Sequence, residues 1–278
     1  MINNRRNIKL FGRVIIRGEI RILSGLHIGG STTNLEIGSV DLPIVRNGRN
    51  GRPYIPGSTL KGKMRSLSEK LIGAPQNRQI GRDITIHIAG GNKRDYSSNL
   101  EYQQVVEEQY AKYWVNPVFG VPSEVGLSIS GPTRLIVRDV QLDTDSLKDT
   151  ISLDLPYAEV KWENTVDRVT SAAVPRQIER VPEGAVFSPM EMVFSFYERD
   201  DAHRFPHVFT ALQLVEDDYL GGHGSRGSGK VVFENLELTC KSGTCYRSGN
   251  VKKLATLTNL TDTEKNNLVT WVKRQISL

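Results

Sequence analysis

The stretch GLHIGGSTTNLEIGSVDLPIVRNGRNGRPYIPGSTLKGKMRSLSEKL, residues 25–71, combines a glycine-rich turn, the carboxylate of Asp41 and a basic segment. Glycines at positions 25, 29, 30 and 38 permit positive φ angles and the close approach of another chain. Prolines at positions 53 and 56 stiffen the approach to the basic segment. This combination indicates a backbone that binds phosphate groups.

The end of this stretch predicts a helix, because its apolar side chains recur at helical spacing. Ser58 is the expected N-cap and Gly73 lies where the helix is expected to stop. Lys61, Lys63 and Arg65 lie in the first turns, where positive charge opposes the helix dipole, so we expect an anion at this end. The expected apolar face consists of Leu60, Met64, Leu67 and Leu71.

Two nucleotide-binding motifs occur in the wrong context. Residues 57–63 satisfy G-x-x-x-x-G-K, but Met64 follows where a P-loop needs Ser or Thr, and no buried strand precedes. Residues 221–230 contain G-x-G-x-x-G between a helix and a strand, which reverses the order that a dinucleotide site needs. Neither an NTPase nor a dinucleotide site is indicated.

Composition predicts an ordinary globular protein with a polyanionic partner. The 278 residues include 36 Lys and Arg against 31 Asp and Glu, giving a net charge of +5 and a pI near 9.1. The two cysteines, Cys240 and Cys245, are too few for a disulfide framework or a structural zinc site, which fits a reducing cytosol. No apolar run approaches a membrane span, so we expect a cytoplasmic location and no membrane partner.

The remaining pattern predicts an α+β fold. Apolar and polar residues alternate at 13–23, 133–142 and 185–197, and a further strand begins at 231 after a helix at 205–219. With the helix described above, the order is strand, helix, strand, strand, helix, strand, which is ferredoxin-like and shared with RNA-recognition modules. The aromatic signature of those modules is absent, so base stacking on the sheet is not indicated.

We predict one domain over residues 1–278. A loose, partly helical pattern with a helix at 102–114 indicates an insertion, and a long segment with basic residues and three prolines indicates a projecting hairpin, or thumb. The expected parts are a core at about 8–72, 133–152 and 185–240, an insertion at about 74–118, a thumb at about 153–184 and a C-terminal helix at about 263–277.

Several segments together resemble one family. They are GLHIGG at 25–30, IGSVDLPIVR around Asp41, YIPGSTLKGKMRS at 54–66, DRVTSAAVPRQIERVPEGAVF at 167–187 and YLGGHGSRGSGKV at 219–231. In this order they resemble the repeated backbone subunit of type III-A CRISPR effector (Csm) complexes, a member of the RAMP superfamily. The resemblance covers most of the chain apart from about 80–113 and the C-terminal tail.

The resemblance implies an RNA-guided endoribonuclease used in antiviral defence. Copies of the subunit would polymerise along a guide crRNA with other Csm subunits, while each thumb displaces a nucleotide and the paired target RNA is cut beside it. The family's catalytic aspartate falls on Asp41, which would also bind a divalent metal, Mg²⁺ or Mn²⁺. The implied RNA-binding residues are His27, Ser58, Lys61, Lys63, Arg65, Arg168, Arg176, Gln177, Gly222, His223, Gly224, Ser225, Arg226 and Gly227.

Three function classes stay open at this point. The first is the target-cutting subunit, with one hydrated ion at Asp41, because no second acidic cluster lies nearby for a two-metal clamp. The second is an architectural RNA-binding subunit whose Asp41 is idle. The third is a stand-alone guide-processing ribonuclease that works without metal through a histidine, for which His27 is a candidate base or, alternatively, a structural residue.

Overall fold

The structure is a computed structural model that describes residues 8–30, 40–121, 131–150, 153–244, 246, 249–257 and 260–276. Its strands are β1 (Gly12–Ile22), β2 (Tyr54–Ile55), β3 (Arg78–Ile80), β4 (Ile84–Ile86), β5 (Leu135–Val137), β6 (Val140–Asp143), β7 (Glu159–Val166), β8 (Ala173–Arg180), β9 (Val186–Phe196), β10 (Val231–Ser242) and β11 (Asn250–Thr256). Its α-helices are α1 (Gly57–Leu71), α2 (Asn99–Lys112), α3 (Val115–Phe119), α4 (Asp201–Arg204), α5 (His207–Asp217) and α6 (Asp262–Ile276).

The main sheet has the ferredoxin-like order that the sequence predicts. Its strands lie in the order β11, β10, β1, β9, β6 and β2, with β5 also paired to β9. Neighbouring strands in the core pair antiparallel, and α1 and α5 are the two crossover helices, which pack against each other. The α+β fold class is confirmed.

The alternating pattern of β1 places one row of side chains in the core. Val14, Ile16, Ile20 and Ile22 are all fully buried, and the same core contains Leu60 and Met64 of α1 and Val208 and Leu212 of α5. Near Gly18 the pairing register shifts against both neighbours, because β9 and β10 each contain one extra residue there. These bulges keep Phe187 and Met190 of β9, like Phe233 and Leu236 of β10, in the core.

The predicted strand at 133–142 is two strands. Between β5 and β6, the Arg138 N–H donates to Glu191 O at 3.1 Å, and Asp139 turns away from the sheet to cap α1. The predicted helix at 205–219 is α5, His207–Asp217. The short helix α4, Asp201–Arg204, precedes it, and Pro206, which cannot donate a helical hydrogen bond, lies between the two.

Helix α1 begins two residues earlier than predicted, and Ser58 is not its N-cap. The cap is Pro56, which makes no side-chain cap hydrogen bond; instead Asp139 Oδ1 accepts a 2.7 Å hydrogen bond from the Gly57 N–H. The predicted apolar face is shorter than expected, because Leu67 is half-buried and Leu71 is 56% exposed. The helix stops where predicted, with Gly73 at φ +63°.

The insertion has a small core of its own. The hairpin of β3 and β4 and the helices α2 and α3 precede the return to β5, and α2 spans Asn99–Lys112 rather than the predicted 102–114. The residues of its core cluster are Ile88, Ala89, Tyr102, Val106 and Tyr110. The buried Arg134 joins this cluster to the main body, because it hydrogen-bonds Tyr110 Oη at 3.1 Å and pairs with the buried Asp201.

The predicted thumb is the β7–β8 hairpin, eight paired positions from Glu159↔Arg180 to Val166↔Ala173. Residues 159–180 hold four basic and four acidic side chains, so the formal net charge of the hairpin is zero rather than basic as predicted. Three of the four basic side chains are ion-paired within the hairpin, Lys161, Arg176 and Arg180.

The C-terminal helix α6 spans Asp262–Ile276, close to the predicted bounds, and packs against β10. Cys240 is buried, which raises the pKa of its thiol to about 12, and Cys245 lies outside the described residues. Among the helices of the described chain, none is long and apolar enough to cross a membrane.

Candidate nucleic-acid interface

Asp41 lies at the open edge of the β7–β8 hairpin. Its Oδ2 accepts a 2.8 Å hydrogen bond from the backbone N–H of Gln177. The next residue, Leu42, forms a parallel bridge with Ile178, so this segment adds a short third strand to the hairpin. Asp41 is exposed, and the Gln177 N–H holds its carboxylate at this edge.

The side chain of Glu179 anchors this third strand through contacts with Ile44 and Arg46. The sequence did not identify this residue. Its side chain is only 5% exposed, accepts the Ile44 N–H through Oε2 at 2.8 Å and forms an ion pair with Arg46. The Glu179 carbonyl accepts a 2.7 Å hydrogen bond from His27 Nδ1. One buried residue therefore joins the Asp41 segment, the hairpin and the first glycine turn.

His27 is a buried residue, 6% exposed, and its Nδ1 is used by the bond to the Glu179 carbonyl. Its ring meets that of His223 edge to face, with centroids 5.2 Å apart. Burial and this engaged nitrogen favour the structural interpretation of His27 over the role of general base.

Glu163 contacts basic side chains of the hairpin and of the loop at residues 221–229, called the glycine loop below. It accepts hydrogen bonds from Arg176 at 2.8 Å and Lys161 at 3.1 Å, and it lies 3.9 Å from Arg226 and 4.0 Å from His223. The Arg176 hydrogen bond, helped by Lys161, lowers the pKa of Glu163 to about 2. Burial, followed by the nearby His27, lowers the pKa of His223, which favours its neutral form.

An open groove of about 370 Å³ lies along this face of the hairpin. Arg168, an exposed residue near the hairpin tip, lines it together with Arg176 and Arg226. The groove is thus bordered by three of the predicted RNA-binding arginines. Its full lining is Glu163, Asn164, Thr165, Val166, Arg168, Arg176 and Arg226.

The glycine loop is folded tightly against this cluster. Gly221 has φ +79°, and a Cβ there would lie 2.3 Å from the His27 carbonyl oxygen, which accepts the Gly222 N–H at 2.8 Å. Gly224 lies on the ring of Tyr219, because an added Cβ would be 2.0 Å from it. The exposed part of the loop, and so the part that a phosphate can reach, is Ser225, Arg226 and Gly227.

The two lysines of α1 have different surroundings. Lys61 is half-buried and forms no ion pair among the described residues, and burial lowers its pKa. Lys63 forms a 2.8 Å ion pair with Asp218, and its Nζ lies 3.4 Å from the centroid of the Tyr219 ring. Lys63 is therefore engaged with the residues that precede the glycine loop, and Lys61 is a better candidate than Lys63 for a phosphate contact.

Three further predicted site residues have specific places. Ser58 is exposed on α1, but the anion expected at this helix start is the protein's own Asp139. Arg65 points to the insertion, where its bonds to Glu69, the Gly120 carbonyl and the His87 carbonyl use its guanidinium. Gln177 contributes its backbone N–H rather than its side chain to the Asp41 contact.

The described residues contain no cluster of three or more His, Cys, Asp or Glu side chains that would enclose a metal ion. Asp41 offers one exposed carboxylate, with one oxygen taken by the Gln177 N–H. Mg²⁺ commonly keeps several waters and binds one or two carboxylates together with substrate phosphates. The residues present therefore fit a largely hydrated ion completed by RNA, and not a preformed metal cage.

Comparison with known proteins shows the family of this chain. The RAMP superfamily pattern matches residues 19–232. A protein named CRISPR system Cms endoribonuclease Csm3 from Methanocaldococcus jannaschii is 36% identical over 250 residues, covering 89% of each chain. One of the same name from Methanothermobacter thermautotrophicus is 37% identical, covering 84% of this chain and 88% of its own.

A solved structure from the same family has a similar fold. The crystal structure of a Csm3-Csm4 subcomplex in the type III-A CRISPR-Cas interference complex contains a chain that superposes with a TM-score of 0.55 and 26% identity, covering 94% of this chain and 98% of that one. The antiparallel sheet, the hairpin beside Asp41 and the glycine loop thus occur in a chain that proteins named Csm3 match over 84–89% of its length. This chain belongs to the RAMP superfamily and, within it, to the Csm3 endoribonucleases.

Proposed function

We propose that this chain is the guide-RNA-binding backbone subunit of a type III-A CRISPR effector complex, and that it cleaves guide-paired target RNA at regular intervals. The observation that carries the proposal is the Asp41 carboxylate, exposed at the edge of a projecting hairpin and held there by the Gln177 N–H. The Csm3 relatives and the Csm3-Csm4 subcomplex support the assignment.

The candidate RNA contacts suit a backbone of any sequence. The side chains of Lys61, Ser225 and Arg226 bind phosphates without reading bases. Sequence selection is left to pairing between the guide and the target. This division of labour is what a subunit repeated along one guide needs, and it implies contacts with further copies of the chain and with other Csm subunits in the cytoplasm.

The cleavage step is an intramolecular displacement. The target's own 2′-oxygen forms a bond to the adjacent phosphorus while the bond from phosphorus to the 5′-oxygen breaks, which leaves a 2′,3′-cyclic phosphate. Water accepts the proton of the 2′-hydroxyl and supplies one to the leaving 5′-oxygen. The hairpin's part is to displace a nucleotide so that the 2′-oxygen lies in line with the leaving oxygen, and such orientation contributes ~7–11 kcal/mol in favourable cases. A divalent ion, Mg²⁺ or Mn²⁺, held by Asp41 would neutralise charge on the phosphate.

Two substitutions at Asp41 test the proposal in the assembled complex. Asp41→Asn keeps an oxygen that can accept the Gln177 N–H but removes the charge, whereas Asp41→Ala removes both. We expect both to lower target cleavage by on the order of 10²–10³-fold, the usual loss when one electrostatic group at a reacting phosphate or oxyanion is removed. Guide binding and assembly, measured on the same preparations, should be unchanged.

The outcomes separate the three function classes. Normal cutting by Asp41→Ala would contradict the proposed catalytic role. If the wild-type complex binds target without cutting it in the presence of Mg²⁺ or Mn²⁺, the chain is an architectural subunit. Metal-independent cutting of the guide precursor by the isolated chain, lost on replacement of His27 or His223, would indicate a stand-alone processing enzyme.

A further inference from the structure

The β7–β8 hairpin exposes apolar surface without net charge. Trp162 is 60% exposed, and Val166, Val169 and Val174 are 43%, 91% and 68% exposed. Because its four basic side chains are balanced by four acidic ones, the hairpin attracts phosphates weakly. Aromatic faces contact bases by stacking, which does not depend on sequence. The hairpin therefore suits contact with bases more than with the RNA backbone.

The pairing register places Trp162 in one row with the candidate catalytic residue. Trp162 lies opposite Gln177, and the parallel bridge between Leu42 and Ile178 puts Asp41 beside Gln177 on the far edge. Residues opposite each other across a sheet share a face, and neighbouring strands lie about 4.8 Å apart, so Trp162 and Asp41 are separated by about 10 Å along this row.

The opposite face of the hairpin carries the Glu163 ion-pair cluster, which borders the open groove described above. Lys161 donates to the Arg226 carbonyl at 3.2 Å, and Glu163 binds Arg176. Because successive residues of a strand alternate between faces, Trp162 points away from this ion-pair cluster and the glycine loop. In the part of the chain that the structure describes, Trp162 is the largest exposed side chain of the hairpin.

We propose that Trp162 is a positioning residue that stacks on a nucleobase of the target strand next to the phosphate at Asp41. This inference rests on the proposed function, since it assumes that target RNA passes along this edge of the hairpin. A base held on the indole ring fixes the nucleotide on one side of the reacting phosphate, while Asp41 acts on the phosphate itself. Trp162 takes no part in bond making.

The test compares Trp162→Ala, Trp162→Phe and the control Val174→Ala in the assembled complex. Val174 is a similarly exposed apolar side chain on the opposite face. Removal of a stacked aromatic ring weakens the contact by ~1–3 kcal/mol, so we expect Trp162→Ala to slow target cleavage on the order of tenfold. Trp162→Phe should restore most of the rate, Val174→Ala should cleave normally, and guide binding should be unchanged in all three.

Two further measurements distinguish stacking from a structural role. In a variant with Trp114 and Trp271 replaced by Phe, target RNA added to the guide-loaded complex should quench the fluorescence of the remaining indole. Removing the target base next to the cut should slow the wild-type complex tenfold but leave Trp162→Ala unaffected, because the two changes remove one contact. The proposal would be overturned if the rate losses from Trp162→Ala and from removal of the target base added together. It would also be overturned if target RNA did not quench the indole fluorescence, or if protein subunits quenched it before target was added.

Failure of this inference and failure of the proposed function give different results. If Asp41→Ala still cuts target, the proposed function fails whatever Trp162 does. If Asp41→Ala is inactive while Trp162→Ala cuts at the normal rate, only the stacking role is wrong.

Discussion

Glu179→Gln tests whether a buried carboxylate holds the Asp41 segment in place. The amide oxygen of glutamine can still accept the Ile44 N–H. Its NH₂ group then faces the guanidinium of Arg46, so two hydrogen-bond donors replace the ion pair. Removing one partner of a buried ion pair costs about 3–5 kcal/mol when the other charge is stranded. Arg46 is not stranded, because it is 26% exposed and also donates to the carbonyls of Gly51 and Pro156.

We therefore expect the free energy of unfolding to fall by about 2 kcal/mol, the range for one hydrogen bond to a charged group. The measurement is urea denaturation of the purified chain, with the midpoint compared at constant slope. Target cleavage by the assembled complex should also fall, because the strand that carries Asp41 loses an anchor, while guide binding persists.

The matched control is Glu191→Gln. Glu191 also pairs with two arginines, Arg17 and Arg138, but both of these are more than half exposed and the site faces solvent. Surface ion pairs contribute about 0–1 kcal/mol, so this variant should lose less than half as much stability as Glu179→Gln and should cleave normally. Equal losses in the two variants would refute the anchoring argument.

Two further predictions follow from the charges at the interface. Lys61→Ala should make the slope of log guide affinity against log salt concentration shallower by about 0.7, because one phosphate contact is lost. Lys63→Ala should instead lower the free energy of unfolding by about 1 kcal/mol, because it loses the ion pair with Asp218 and the contact with the Tyr219 ring. An equal slope change in both variants would contradict this. The pKa of Glu163 is about 2, below its ordinary 4.5, so the stability that its ionised carboxylate contributes is complete above about pH 4.5 and is lost as pH falls toward 2. The acid unfolding curves of wild type and Glu163→Gln should therefore differ above pH 4.5 and converge near pH 2.

The sequence predicted the elements whose signal is local. The alternation in β1 and the glycine at the end of α1 are properties of neighbouring residues, and the structure confirms them. Strand β9 is confirmed too, but Val193 and Ser195, predicted to face outward, are buried. The ferredoxin-like order followed from these elements alone. Family motifs then led to Asp41 and the glycine loop, which no periodicity would have identified.

The errors came from contacts between distant residues. Ser58 satisfied the local rule for an N-cap, but Asp139 lies closer to the helix start once β5 and β6 are folded. Arg65 and Lys63 looked like one basic cluster, although the first reaches the insertion and the second reaches Asp218.

Glu179 was missed for the same reason. A glutamate in an alternating strand usually faces water, and its burial depends on Arg46, 133 residues earlier in the chain. The charge of the hairpin was misjudged because its arginines were counted without the glutamates opposite them.

The hydrogen bond from the Gln177 N–H to Asp41 has an evolutionary consequence. Every amino acid except proline supplies this backbone donor, so the position of the carboxylate does not depend on which side chain occupies residue 177. Residue 177 is free to drift without moving the carboxylate, and proline is the replacement that removes its anchor. Selection at this point of the site acts on the path of the main chain and not on the identity of the side chain at residue 177.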